Sequence, residues 1–260
     1  MTAGATNTGG NYLPDVPWVA EGSRKGRAPR DGYVRGWGMQ FRGLKDSVRA
    51  DPLYQAACVA AGGRSVMAED NRINLYLILR FFLTRIPFGH VVEFGSYRAG
   101  NALFMARVLQ EVRPEAKVIA LDTFAGMPQT DSSVDAHNEG DFANVDVDEI
   151  RAVVAASGLS NIDLVQGRFE ETASLALARA GPIALAHIDS DIYSAIAFAY
   201  DAVKRHMVKG GYVIFDDATV ASCLGATEAV EELVIRRDWL HAEQISPHFV
   251  FRIRLGRDDE

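Results

Sequence analysis

The chain has 260 residues, of which 48% are hydrophobic and 23% charged, with a formal net charge of −7. That length suits one large α/β domain with extensions, and the acidic balance argues against a general nucleic-acid binder. Cys58 and Cys223 match no zinc-finger spacing and read as reduced thiols of a cytoplasmic protein.

The first 22 residues carry neither the basic start nor the apolar core of a secretory signal. Residues 1 to about 32, rich in Gly, Pro and Arg, read as loop. Between Glu21 and Arg49 eight basic residues (Arg24, Lys25, Arg27, Arg30, Arg35, Arg42, Lys45 and Arg49) face three acids. Such a run is a solvated arm, or a surface that meets an anionic substrate or a partner subunit. Asp51–Gly62 and Ala68–Ile86 read as helices, the second from the apolar stripe Ile73, Leu75, Leu77, Ile78, Phe81 and Phe82. Leu75–Leu79 is broken by Arg80, and no apolar run approaches a membrane span.

Strands and helices then alternate. Strands are expected at 91–94, 118–121, 162–165, 183–186 and 211–215, and helices at 99–112, 147–157, 171–180, 193–206 and 227–236. This repetition predicts a doubly wound, mostly parallel sheet. The last strands, 241–245 and 249–253, have no helix between them and predict an antiparallel hairpin at the edge. The segment Asp131–Ile150 holds seven acids and no Lys or Arg, and the loop 126–146 is long enough to read as a lid over the C-terminal sheet edge.

Chemistry concentrates at two acidic signatures. Asp189-Ser190-Asp191 follows the strand Ile183–Ala186, and Asp216-Asp217 follows Gly211–Phe215. One helix separates them, so the unit is βαβ and its strands run parallel. Acids after both strands converge where open α/β sheets bind ligands. Carboxylates so crowded call for a hard cation such as Mg2+. A histidine buried in a strand, as His187 would be, is most simply structural. No second well-placed histidine supports an iron facial triad, and Gly95-Ser96 is no nucleophile elbow.

The run VVEFGSYRAGNA joins the first strand to its helix. Gly95 and Gly100 have P-loop spacing, but Asn101-Ala102 stand in place of the Lys and hydroxyl, and Tyr97 takes the middle glycine of a dinucleotide fingerprint. S-adenosylmethionine needs fewer glycines, having no pyrophosphate. Glu93 is placed to complement its ammonium and sulfonium. Asp122, ending the second strand, can accept both ribose hydroxyls.

EFGSYRAG, LDTFAGMP, GRFEET, HIDSDIYSA and GGYVIFDDA occur in this order. Together they resemble the macrocin O-methyltransferase family, metal-dependent enzymes that methylate sugar hydroxyls of antibiotics, and among them the type that methylates a nucleotide-linked rhamnose of enediyne pathways. The resemblance covers about residues 65–232. It implies a class I methyltransferase (Rossmann-like) sheet over residues 65–260, preceded by an N-terminal arm and helical extension over 1–64. It implies Asp191, Asp216 and Asp217 as Mg2+ ligands, with Asp191 as general base. It further implies Glu93, Gly95, Ser96, Tyr97 and Asn101 at the methionine and ribose side of the cofactor, and Asp122, Thr123 and Phe124 at ribose and adenine. Gly167, Arg168 and Phe169 would close on the adenine, with Asp189 and Met67 near the amino end. Tyr97 stands where many relatives have Trp, Ala99-Gly100 replaces a double glycine, and Ala218 replaces a Tyr. The expected acceptor is a sugar or nucleotide sugar, with a catechol-like diol or a non-catalytic cofactor-binding role as alternatives, and a homodimer is expected.

Overall fold

The computed structural model describes residues 44–253, of which residues 45–253 belong to one compact unit. The helices are α1 (Leu44–Arg49), α2 (Pro52–Ala61), α3 (Glu69–Leu77), α4 (Gly100–Val112), α5 (Val147–Ala156), α6 (Phe169–Ala180), α7 (Tyr193–Val203) and α8 (Leu224–Ala229). α3 runs on through a π-turn at Ile78–Phe82 and a 3-10 turn at Leu83–Arg85, and α8 through a π-helical stretch at Val230–Arg237. The strands are β1 (His90–Phe94), β2 (Val118–Asp122), β3 (Ile162–Gln166), β4 (Ile183–Ile188), β5 (Met207–Phe215), β6 (Ala242–Gln244) and β7 (Phe249–Arg252). Among the described residues no helix is long and apolar enough to cross a membrane.

The sheet order is β3-β2-β1-β4-β5-β7-β6. Its first five strands pair in parallel, and β7 lies antiparallel between β5 and β6. The expected edge hairpin is therefore present. β2 and β4 read as near-continuous apolar runs because the middle of a parallel sheet is covered on both faces. Val92, Phe94, Ile119, Leu121, Ile188 and Phe215 pack with Leu177 of α6, Ile196 and Tyr200 of α7, and Val230 beyond α8. Alternate residues face the other way. That side is covered by α4, whose Asn101 reaches Glu93 of β1, and by an edge-to-face set of Tyr54 (α2), Tyr76 (α3) and Phe104 (α4) with ring centroids 5.3 to 6.4 Å apart.

Two features place the site. The chain order reverses between β1 and β4, which opens a crevice at their C-terminal ends. The register then lines up Leu121, Phe94, Ile188 and Phe215 across β2, β1, β4 and β5. The next residue of each strand's run, Asp122, Gly95, Asp189 and Asp216, falls in one row along the crevice. A one-residue slip of any strand would break that row.

The basic run resolves in part. Lys45 and Arg49 of α1 do not point to an anionic ligand: Lys45 pairs with Asp70 at 2.6 Å and Arg49 with Glu69 at 2.6 Å, the acids that open α3. Arg24 through Arg42 lie outside the described residues.

At the far end of α7, Asp238 accepts hydrogen bonds from Tyr200 (2.8 Å), Lys204 (2.9 Å) and Arg237 (2.8 Å). Burial alone would raise its carboxyl, but these partners, Arg237 foremost, hold it at about 2. A depressed folded-state value means stability that is present above the unfolded carboxylate range and lost as pH falls through the folded value. Asp238→Asn is expected to cost about 1 kcal/mol at pH 7, allowing for solvent screening. Urea unfolding should show that difference shrinking between about pH 4 and pH 2.

Candidate active site

β1 ends on Phe94 and the chain turns at Gly95, whose φ is +90. A Cβ here would sit 1.7 Å from the Asp189 carbonyl oxygen, so only glycine lets the ends of β1 and β4 approach. Asp189 N and Ser190 Oγ both donate to Phe94 O, at 2.9 Å each, which locks the two turns together. α4 begins at Gly100, where a Cβ would lie 2.5 Å from Ser65 N.

Asp122 organises the loop from below. Its Oδ2 accepts from Ser96 N (2.9 Å) and Tyr97 N (2.8 Å), and its Oδ1 from Phe124 N (2.7 Å). Burial pushes its carboxyl up, against the pull of those three amides. Gly167 N donates to Asp122 O at 2.9 Å, so the start of the GRFEET run is tied to the same point.

A cavity of about 320 Å³ opens above this row. Its wall includes Met67, Gly95, Tyr97, Asp122, Thr123, Arg168, Phe169, Asp189, Asp191, Asp216 and Asp217. Glu93, Ser96 and Asn101 are buried beside the Gly95 turn rather than on the wall, and Phe124 and Gly167 also stand back from it. Met127, Pro128, Gln129 and Phe142 of the 126–146 loop line the same cavity, so the loop does overhang the sheet edge as a lid. Tyr97 OH donates to Asn144 Oδ1 at 2.9 Å and Arg98 to Asn144 O at 2.7 Å, which tethers the lid. Asp135 of the lid accepts from Tyr193 N at 2.9 Å, satisfying an amide at the start of α7.

The residues suit S-adenosylmethionine. Glu93 Oε2, Ser96 Oγ and Asn101 Oδ1 are buried without a hydrogen-bond partner among the described residues. Acceptors left so beside a cavity match a ligand bearing an ammonium group.

The acidic signatures meet at the floor of this cavity. Asp189, Asp216 and Asp217 each bring a carboxylate oxygen within 4.8 Å of the others. Octahedral Mg2+, with oxygens at about 2.1 Å, spaces its ligands by about 2.9 to 4.2 Å, and three clustered carboxylates are the hard oxygen donors such an ion takes. Asp191 has φ +60, and its carboxylate turns toward Cys223 and His137, while its amide donates to Asp217 Oδ2 at 3.1 Å.

Electrostatics separates the acids. Burial, then the charges of Asp217, Asp216 and Asp191, pushes Asp189 well up. Burial and Asp191 push Asp217 up to about 8. Burial would also raise Asp216, but the His187 ring beside it and a hydrogen bond from His248 hold it well below the usual range. His248 Nδ1 and Asn71 Nδ2 each lie 3.0 Å from Asp216 Oδ1, and Asn74 backs His248 at 2.7 Å. His187 stands between Asp216 (3.5 Å) and Glu93 (3.4 Å), and despite burial these two raise it to about 9. His187 is thus buried among carboxylates and links the Glu93 end of the site to the Asp216 end.

Sequence reasoning missed Asn71, Asn74, His248 and Phe142. The buried pair Asn71 and Asn74, spaced i, i+3 on the apolar face of α3, was the one legible signal. His248 reaches the site only through the β7 pairing, which no local pattern announces.

The chain resembles characterised proteins. It is 29% identical over 148 residues to the 8-demethyl-8-(2,3-dimethoxy-alpha-L-rhamnosyl)-tetracenomycin-C 4'-O-methyltransferase of Streptomyces olivaceus, an alignment that takes in 53% of this chain and a little over half (56%) of that relative's length. The fold is similar to that of the O-methyltransferase NovP (TM-score 0.61, 23% identity, 82% of this chain and 95% of NovP). It is also similar to the calicheamicin methyltransferase CalS11 (TM-score 0.60, 18% identity, 87% and 93%). TomG of Streptomyces achromogenes, solved with its methyl donor bound, shares the fold at TM-score 0.52 and 15% identity over 87% of this chain and 96% of TomG. These likenesses establish the class I, Rossmann-like methyltransferase fold. The family model of the macrocin-O-methyltransferases (TylF) matches residues 74–239, well over half of the chain, which therefore belongs to that family.

Proposed function

We propose that the chain transfers a methyl group from S-adenosylmethionine to a hydroxyl of a rhamnose-like deoxysugar, with Mg2+ held by Asp189, Asp216 and Asp217. The observation that carries this reading is the convergence of these carboxylates on the wall of the cavity that also holds the Gly95 turn and Asp122. The relative that acts on a rhamnosyl tetracenomycin supports the sugar class. Glu93, Ser96 and Asn101 would hold the amino end of the donor, and the loop ordered by Asp122 its ribose. The cofactor supplies a methyl group on sulfonium, and Mg2+ stabilises negative charge growing on the acceptor oxygen.

Asp191 lines the same cavity and is assigned as the base that takes the acceptor's proton. Burial raises its carboxyl, which makes it a better base than an exposed aspartate. The lid residues Phe142 and Met127 give the cavity an apolar side suited to the face of a deoxysugar and exclude water when the acceptor is in place.

The test is a product assay with labelled methyl donor, Mg2+ and three acceptors: a nucleotide-linked rhamnose, a rhamnosylated aglycone and a catechol. Label on either rhamnose compound supports the reading and tells which linkage is used. Label on the catechol alone would overturn it.

A further inference from the structure

A second group of unlike donors meets beside Asp191. His137 comes from the lid, Asp191 from the loop after β4, and Cys223 from the turn before α8. His137 Nε2 lies 3.8 Å from Asp191 Oδ1 and 3.7 Å from Cys223 Sγ, and Cys223 Sγ lies 3.4 Å from Asp191 Oδ1. Tetrahedral zinc, with Zn–S of about 2.3 Å and Zn–N or Zn–O of about 2.0–2.2 Å, separates such donors by about 3.3–3.6 Å. The triangle here agrees with that geometry to about 0.4 Å or better.

The far side of the ring supplies an independent observation. Asp141 Oδ2 lies 3.2 Å from His137 Nδ1 and accepts from Asn138 N at 3.0 Å. A carboxylate on Nδ1 fixes the proton there and turns the Nε2 lone pair toward Asp191 and Cys223. The same pairing stands behind metal-ligating histidines in general. Asp191 also holds φ +60, a left-handed conformation unfavourable for a non-glycine residue, and it does so with its carboxylate in this triangle.

We propose that His137, Asp191 and Cys223 form a site for a thiophilic divalent cation of the zinc type, separate from the all-oxygen set of Asp189, Asp216 and Asp217. Sulfur and imidazole donors favour zinc over magnesium. On binding, the Cys223 thiol gives its proton to solvent and ligates as thiolate, and the fourth position is filled by water. The three ligands belong to separate segments, so the ion fastens the lid to the cavity floor. It also occupies Asp191 and so inhibits methyl transfer. The inhibition rests on the proposed role of Asp191 as base, whereas the binding does not.

The experiment is a titration of the whole chain with Co2+ in saturating Mg2+, followed by absorption, with methyl transfer assayed in parallel. One equivalent should bind, with a thiolate-to-cobalt charge-transfer band and the visible bands of a tetrahedral site. Cys223→Ser should abolish the charge-transfer band. His137→Gln should weaken binding by about 10-fold or more, and it decides the matter if Cys223→Ser does not fold. Cys58→Ser and Asp189→Asn should leave the band in place. No band in the unmodified chain, a band that survives Cys223→Ser, or one lost in Asp189→Asn would overturn the site. Cobalt bound with methyl transfer unimpaired keeps the site and removes Asp191 from the reaction.

Discussion

Asp217→Asn is expected to lower methyl transfer by about 10³-fold or more, the several kcal/mol that a Lewis acid contributes at a developing alkoxide, while the methyl donor still binds. Asp217 is buried in the wall of the cavity, one of three carboxylates whose oxygens lie within 4.8 Å of one another. Burial and the neighbouring charges push it up to about 8, the mark of a group destabilised until a cation joins it. Asparagine keeps the shape and can still accept from Asp191 N, but it removes one anionic ligand. Without metal the variant should melt no lower than the parent at neutral pH, because the Asp217 carboxyl, raised to about 8, is already mostly uncharged there and asparagine matches its shape. Steady-state turnover, calorimetric titration with the donor and a thermal melt together separate loss of the ion from misfolding. A fully active variant would remove Asp217 from the metal set.

Gly95→Ala is expected to cost about 3 kcal/mol or more of stability and to weaken donor binding by about 100-fold or more. Two costs combine. The φ of +90 is unfavourable for any residue with a Cβ, and that Cβ would sit 1.7 Å from the Asp189 carbonyl oxygen. Backbone, unlike a side-chain tip, cannot step aside, so the ends of β1 and β4 must separate and the row from Asp122 to Asp216 breaks. Gly140 in the lid gives the control: its φ is +87, but nothing lies within 4 Å of its Cβ direction. Gly140→Ala should therefore cost only about 1 kcal/mol, the conformational part alone. Urea unfolding of both variants measures the difference, and equal costs would mean that the β1–β4 approach is not a constraint.

Much of this architecture was legible beforehand for a physical reason. Strands covered on both faces are mostly apolar, so β1, β2, β4 and β5 stand out as short runs between turn residues, interrupted at Glu93 and His187 beside the site. Elements whose stability is not local were missed. α1 is six residues long and is held by ion pairs to Glu69 and Asp70 about 20 residues on, which no propensity reports. β5 starts at Met207 rather than Gly211, its extra residues Val208–Gly211 being absorbed by a register shift against β4. α8 begins at Leu224, ahead of the expected Thr227.

The site followed the same division. That acids after β4 and β5 converge follows from the βαβ rule and could be read directly. Which acid of Asp189-Ser190-Asp191 joins Asp216 and Asp217 depends on backbone direction. Asp189 continues the strand row, and the left-handed turn at Asp191 carries its carboxylate toward Cys223 and His137 instead. Cys223 and His137 are 86 residues apart, so no spacing rule for metal ligands could join them.

The most direct test of the central claim is an electron paramagnetic resonance titration of the whole chain with Mn2+ in the presence of S-adenosylhomocysteine. One Mn2+ bound per chain, weakened at least about 10-fold in each of Asp189→Asn, Asp216→Asn and Asp217→Asn, is the predicted result. No binding by the unmodified chain, or equal binding by all three variants, would contradict it.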